Sequence, residues 1–290
     1  MLKIIATEKR TIKEMIKFNA DNHSYSSIDG EAIDWISVTT LVSHFKKPFD
    51  AKAVAEKVSK SKRSKWAGVD PKIIQEIWNN ESTRSTTLGT WYHNQREDDL
   101  CALASLSVEG TTIPVFRPAE VKEGVKIAPS QKLEPGVYPE HMVYLRSVGL
   151  CGQSDLVEVV NGKVNIIDYK TNKEIKKESY VNWEGISEKM AHPVNNLDDC
   201  NFYHYALQLS IYMYIILKHN PKLKPGSIYI HHITFEVDRE DQWGYPIAKL
   251  DDNGDPIVKE VIPMAIPYLV EEVHALIHYL HENKQNIKKK

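Results

Sequence analysis

The stretch GQSDLVEVVNGKVNIIDYK, from Gly152 to Lys170, decides how the rest of this chain is read. Asn161-Gly162 sits between two runs rich in β-branched and apolar residues, the strongest short-range signal for a two-residue type I′ hairpin. With those two residues as the whole turn, Val160 faces Lys163 and every cross-strand pair has numbers summing to the same total. The register then sets Asp155 opposite Asp168, with Cβ atoms about 4.5–5.5 Å apart on one face of the sheet. Lys170, two residues beyond Asp168, points to that same face. Opposed carboxylates destabilise a hairpin unless something positive lies between them. Hard oxygen ligands suit magnesium or manganese, so a divalent cation is the natural candidate. The competing reading is a surface hairpin with solvated charges; Leu156-Val157 and Ile166-Ile167 count against it, because they make both strands look buried.

With 290 residues, 42% apolar and 26% charged, the chain has the composition of a soluble globular protein. It is long enough for one large elaborated domain or two small ones. The net charge of −2 excludes a polycation, so any nucleic-acid surface must be a local basic patch. Cys101, Cys151 and Cys200 are far apart and odd in number, which gives neither a disulfide framework nor a zinc or iron–sulfur spacing. No apolar run reaches the ~18 residues of a membrane span, and MLKIIATEKR is too short in its apolar part for a signal peptide. A reducing, cytoplasmic setting is expected.

Along the chain, the first residues suggest a strand or short helix, and an Asp29-Gly30 turn suggests a hairpin between Ser24-Tyr25 and Ile33–Ile36. Ser37 or Thr39 is placed to cap a short helix, and Asp50 to cap a second over residues 50–59. Lys57–Lys65 carries five basic residues, either a solvated helix end or a phosphate-contacting patch. Asp70-Pro71 starts a helix to about Asn80, and Ser82 to about Ala104 reads as another. In the latter, Gly89, His93 and Glu97 are four apart and share a face. A helical glycine costs about 1 kcal/mol relative to alanine, so something is expected to pack closely there. Residues 110–139 read as short strands and loops, and Glu140 to Leu145 as a strand beside the central hairpin. Whether Glu140 faces the aspartates is left open by the ambiguous turn near Ser147–Gly149 that joins its strand to the hairpin. Lys173, Lys176 and Lys177 follow the hairpin as a basic exit. Asn201–His219 is a strong helix in which Gln208 and Tyr212 lie one turn apart on an apolar face, where polar groups must find partners. Ser227–Val237 is a strand, a hairpin is expected through Asn253-Gly254, and Pro267 opens a final amphipathic helix.

These pieces together resemble the PD-(D/E)xK nuclease superfamily and, within it, the RecB-like exonuclease branch. Four matches in the family's order carry the resemblance: LGTWYHNQRE around His93, GQSD ending at Asp155, IIDYKT around Asp168 and Lys170, and LQLSIY from Gln208 to Tyr212. Six [DE]xK tripeptides occur in the chain, so that pattern alone carries almost nothing. The ordered set carries the weight, and the wording of IDYKTNKEI and YHYALQLSIYMYI looks most like bacteriophage-type nucleases.

The resemblance implies an α/β (α+β) restriction-endonuclease-like core, a central mixed sheet flanked by helices. It implies a single elaborated nuclease domain over 1–290, with an N-terminal extension (1–80), a catalytic core (82–237) and a C-terminal hairpin and helix (238–290). Asp155, Asp168, His93 and the backbone carbonyl of Tyr169 would hold Mg2+ or Mn2+, with Glu97 and Glu140 behind them. Lys170 would position the attacking water, and Gln208 and Tyr212 would brace the site. DNA, single-stranded or with free ends, is the implied partner, with Lys173, Lys176 and Lys177 contacting it; the setting is the host cytoplasm for a phage-encoded protein. The three scattered cysteines depart from the iron–sulfur members of the branch, so no cluster is expected. A structure-specific endonuclease, a non-catalytic DNA-binding module and a phage assembly protein stay open beside this reading.

Overall fold

The computed structural model describes residues 16–19, 24–28, 30–117 and 130–287, together with the backbone of 121–122 and 125–127. The expected opening element before residue 16 and the lysine tail 288–290 lie outside the described residues. Fourteen strands and five α-helices are described. The strands before the site are β1 (Ile16–Asn19), β2 (Ser24–Ser27), β3 (Ile36–Ser37), β4 (Ser105–Val108), β5 (Thr111–Pro114), β6 (Val121–Lys122) and β7 (Val125–Ile127). Then come β8 (Gly136–Leu145), β9 (Leu150–Val160), β10 (Lys163–Lys170), β11 (Lys224–Phe235), β12 (Val237–Glu240), β13 (Pro246–Ala248) and β14 (Val258–Ala265). The helices are α1 (Val38–His44), α2 (Ala51–Lys60), α3 (Pro71–Cys101), α4 (Asn201–His219) and α5 (Val270–Asn283).

A six-stranded mixed sheet organises the molecule, in the order β14-β11-β10-β9-β3 with β8 on the other edge of β9. β9 and β10 form the expected hairpin: Val160 pairs with Lys163, and Asn161 (φ 51°) and Gly162 (φ 74°) take the left-handed conformations of a type I′ turn. From β10 the chain crosses through α4 and returns as β11 parallel to β10, the long connection that parallel pairing requires. β14 closes the edge antiparallel to β11.

α4 is the buried centre. Its Phe202, Leu207, Leu209, Ile211, Met213, Ile215 and Ile216 are sealed against the sheet, α1 and α5, each large side chain contributing about 1.5–3 kcal/mol by burial. α3 lies on the opposite face, where Tyr92 packs with Tyr169 and Ile233. The largest buried cluster therefore draws on Ile36–Phe45 and on Val273–Leu280 as well as on the middle of the chain. Its sheet also takes β14 from residues 258–265.

The expected caps are present. Ser37 Oγ accepts from Thr40 N at 3.0 Å, Asp50 from Ala53 N at 2.9 Å, and Asp70 from Lys72 N at 2.8 Å with Pro71 at the first turn. Other expectations are corrected. The two helices read across 70–104 are one 31-residue helix, because Asn79-Asn80-Glu81-Ser82 holds neither proline nor glycine to stop it. Ser24–Ser27 pairs with β1, not with Ile33–Ile36, and Ile36–Ser37 pairs parallel with β9. Asn253-Gly254 does form the turn of a short hairpin, held by a Leu250–Pro256 bridge and by bonds from Asp251 N to Asp255 O and from Ile257 N to Lys249 O, but the longer strands pair elsewhere, β13 with β12 and β14 with β11. Long-range pairing partners decided these cases, and the turn residues did not.

Candidate active site

The regular ladders around β9 fail at one residue, Asp155. β8 and β9 keep one register from Gly136–Val159 to Leu145–Leu150, yet the pair Glu140–Asp155 is missing from it. On the other edge the β10 ladder stops at Ile167–Leu156. β3 takes up that edge only at Leu150 and Cys151. Glu140 is forced to φ 48°, a left-handed conformation that costs a non-glycine residue about 1–3 kcal/mol and clusters at functional sites.

The break also reverses which side chains face α4. Before it, Val143, Leu150 and Gly152 face α4, whereas Met142, Tyr144 and Cys151 face a separate cluster with Ile16 and Trp35. Beyond it, Val157 and Val159 face α4, whereas Val137, Leu156 and Val160 face the β4–β5 hairpin. Extrapolating period 2 across a half-turn of this kind is not valid. Asp155 accordingly leaves its place opposite Asp168, and its Oδ2 accepts a hydrogen bond from Tyr169 N at 2.7 Å. That bond replaces a lost rung of the ladder.

Three donor groups converge there. The ligand atoms of His93, Glu140 and Asp155 all lie within 4.8 Å of one another. His93 Nδ1 is 3.5 Å from Asp155 Oδ1 and 3.8 Å from Glu140 Oε1, while Nε2 is 3.2 Å from the Tyr169 carbonyl oxygen. Gln153 Nε2 donates to the other Glu140 oxygen. α3 is held close enough because Gly89, one turn before His93, lies where a Cβ would stand 3.2 Å from Thr171 Oγ1. Glu97 continues that helix face one turn further on.

Asp168 and Lys170 form the adjoining half of the site. The Asp168 carboxylate is 1% exposed and makes a direct ion pair with the Lys170 ammonium. Neither of its oxygens receives a well-oriented hydrogen bond among the described residues. Lys170 Nζ is also 3.3 Å from the Tyr169 carbonyl and 5.0 Å from the centre of the Tyr205 ring. Tyr205 is fixed by a hydrogen bond to Asn172 Oδ1 at 2.7 Å. Beneath them, Gln208 Nε2 donates to Tyr212 Oη at 3.1 Å. Tyr212 lies directly on Gly152, where a Cβ would come within 2.6 Å of its ring.

The titrations follow from this crowding. Burial, then the Asp155 charge, push the Asp168 carboxyl up to about 6 against the pull of Lys170. Burial likewise raises Asp155, opposed by Lys170 and His93. Burial disfavours the charge on His93, but Glu140 and Asp155 outweigh it and push the imidazole up to about 9. Lys170 is also desolvated, and Asp168 and Asp155 still hold it above its ordinary value. Three carboxylates with two cations leave a buried excess of negative charge, and such a site gains from a bound divalent cation. The donor set of imidazole, carboxylates and a backbone carbonyl fits such an ion.

The basic exit is split. Lys173 borders a groove of about 680 Å³ whose walls include Ser82, Ser85, Thr86 and Thr90 of α3 and run to His93 and Lys170. Lys176 is tied at its backbone N to Asn201 Oδ1 at 2.7 Å, and Lys177 Nζ lies 5.5 Å over Phe202, both at the start of α4. In the Lys57–Lys65 run, Lys65 donates to the Trp243 carbonyl at 2.6 Å and sits over Trp66 and Tyr245. Gln153 and Tyr205 are additions to the expected set. Gln153 carries a weak signal, two residues from Asp155, and Tyr205 carries none.

The PD-(D/E)XK nuclease superfamily model matches residues 52–289. The chain belongs to that superfamily, and its mixed α/β architecture is that of the restriction-endonuclease-like fold. Among solved structures, that of SSO0001 is similar at 15% identity over 88% of this chain and 76% of the other, with a TM-score of 0.33. No curated protein matches. No helix among the described residues is long and apolar enough to cross a membrane.

Proposed function

We propose that this chain is a divalent-metal-dependent deoxyribonuclease of the RecB-like, phage-type kind, acting as an exonuclease on single-stranded DNA or DNA ends. The observation that carries the reading is the break at Glu140–Asp155, which gathers His93, Glu140 and Asp155 beside the buried Asp168–Lys170 pair. His93, Asp155, Asp168 and the Tyr169 carbonyl would hold Mg2+ or Mn2+, with Glu140 near enough to share in it. A cation there supplies polarisation of the phosphoryl oxygen and a more acidic water.

The protein's own groups do the rest. Lys170, held by Asp168 and the Tyr205 ring, presents a fixed positive charge to the nucleophile and to the charge that develops on the phosphate. Gln208 and Tyr212 brace β9 from below through Gly152. The hydroxyls of Ser82, Ser85 and Thr90 give the groove neutral donors for a sugar–phosphate backbone, while that of Thr86 is already given to the Ser82 carbonyl; Lys173 adds charge at its border, with Lys176 and Lys177 further along the chain. The test is digestion of end-labelled linear, 5′-blocked, 3′-blocked and circular single strands with Mg2+, Mn2+ or EDTA. Metal-dependent loss of linear strands with circles intact supports the exonuclease; cut circles make it an endonuclease, and no cleavage of any substrate removes the reading.

A further inference from the structure

Beside the groove lies a second, half-enclosed recess of about 320 Å³, and Ser85, Thr171, Asn172 and Lys173 line both. The recess interior is largely apolar, lined by Leu88 of α3, Ile233 and Phe235 of β11, and Ala248 of β13. Charged groups stand around it. Arg84 is engaged by Glu81 and, at 3.7 Å, by Asp241. Glu236 is 3.1 Å from Lys249, and Glu240 completes that wall.

These features select the kind of occupant. A phosphate entering here would lose its hydration to an apolar floor and meet three carboxylates, Glu81, Glu236 and Glu240, against two cations, Lys173 at the shared wall and Arg84, which Glu81 and Asp241 already engage. A flat heterocycle is neutral, has apolar faces and presents N–H donors at its edge, which carboxylates and Asn172 can accept. The volume falls within the range of small-ligand sites. Lys173 is three residues from Lys170, so the shared wall lies at most about 10 Å of chain from the reacting centre. We propose that the recess receives one unpaired nucleobase of the strand in the groove, from a nucleotide within a step or two of the scissile phosphate. This rests on the nuclease reading and deepens it. A base held in a duplex could enter only by unstacking and unpairing, so the recess makes the enzyme prefer single strands.

The test is binding of fluorescent single-stranded oligonucleotides, with Ca2+ in place of Mg2+, in which one abasic site is walked along the strand. One position should stand out, with an abasic nucleotide weakening affinity about tenfold and its neighbours doing little. Ala248→Trp, which fills the recess from the hairpin side, should weaken the intact strand by a similar factor and remove the position dependence. Leu88→Phe fills it from the opposite wall and serves as the second variant should Ala248→Trp lower the melting temperature. Both should bind Mn2+ as the wild type does. Abasic effects spread evenly along the strand, or filled variants that bind like the wild type, overturn the recess and leave the nuclease reading standing. A protein that binds no single strand at all loses the recess, and one that in addition cleaves no DNA loses the nuclease reading with it.

Discussion

The two ends of the β9–β10 hairpin are built on opposite terms. At the turn end, every rung from Val160–Lys163 to Ile167–Leu156 is paired, Val160 and Val164 are fully buried, and the buried Glu158 carboxylate is met by Asn165 Nδ2 at 3.4 Å across its own rung. At the open end, β9 loses its partners on both edges at Asp155, Glu140 is held at φ 48°, and five ionisable groups of both signs are packed against one another. The turn end contributes stability through ladders and apolar contact. The open end gives up hydrogen-bonded regularity to bring carboxylates, an imidazole and an ammonium within reach of one point. Substitutions at the open end should therefore affect chemistry far more than stability, and those at the turn end the reverse.

The largest expected effect is at Asp168 and Lys170. Asp168→Asn should lower cleavage by at least about 100-fold while binding of DNA in Ca2+ stays within a few-fold. Lys170→Ala should lose turnover to a similar degree yet still bind Mn2+ by calorimetry, because in the proposed reading the ammonium serves the phosphate and nucleophile and is no ligand of the ion. Lys170→Arg should rescue poorly, since a planar fork cannot replace a compact charge against Asp168. Cleavage by Asp168→Asn at the wild-type rate would falsify the metal assignment.

Next in size is the pH dependence of metal loading. In the ion-free protein His93 keeps its proton up to about pH 9, and an imidazole must lose it to become a ligand. Protons are displaced on binding, so affinity for Mn2+ should rise with pH, by up to about tenfold per unit between pH 7 and 9. In the ion-free protein the charged His93 contributes stability below its unfolded value near 6.5, and that contribution is lost as pH rises through about 9. Calorimetry in buffers of different ionisation enthalpy counts the released protons. A pH-independent affinity, or His93→Ala with unaltered proton release, would separate His93 from the ion.

Much of this contrast was legible in the sequence. Asn161-Gly162 fixed the turn and, with it, every rung that the structure retains between β9 and β10. The helix caps at Ser37, Asp50 and Asp70 were legible because they are local. The place of Glu140 was not: Pro139 beside it marks an irregular strand position, but a lone proline does not say how the chain turns there or which residue of β9 loses its partners. The same break moved Asp155 onto the Tyr169 N–H and away from Asp168. Gln153 and Tyr205 were missed for a related reason: their roles depend on which strand and helix lie beside them, and no spacing encodes that. The N-terminal pairing failed likewise, since β2 found β1 and not the segment after Gly30.

A smaller effect is expected from the basic exit. Lys173 alone borders the groove, while Lys176 and Lys177 are drawn toward α4. The triple variant to alanine should flatten the salt dependence of single-strand affinity by about one to two units of slope, at roughly 0.7 per phosphate released. Lys173→Ala alone should account for about a third to two thirds of that. An unchanged slope would send the strand out of the groove by another route, with Lys57, Lys60, Lys62 and Arg63 the next residues to replace.

The smallest expected effect sharpens the comparison most directly, because it sets two glycines of one hairpin against each other. Gly162, in the turn, has φ 74° and nothing within 4 Å of the position a Cβ would take. Gly162→Ala therefore meets no clash and carries only the conformational cost of a left-handed residue, about 1–2 kcal/mol. For a domain of this size that lowers the melting temperature by about 2–8 °C, with cleavage unchanged once the protein is folded. Gly152, near the open end, has no such backbone requirement, but a Cβ there would stand 2.6 Å from the Tyr212 ring. Tyr212 is fully enclosed and hydrogen-bonded to Gln208, so it can yield only by moving the pair beneath Asp155. Gly152→Ala should consequently lose cleavage even at temperatures where it remains folded, and Gly162→Ala should not. Thermal melts paired with single-turnover cleavage on the two variants measure this; equal losses of activity per degree of melting temperature would mean that the two ends of the hairpin are not functionally distinct.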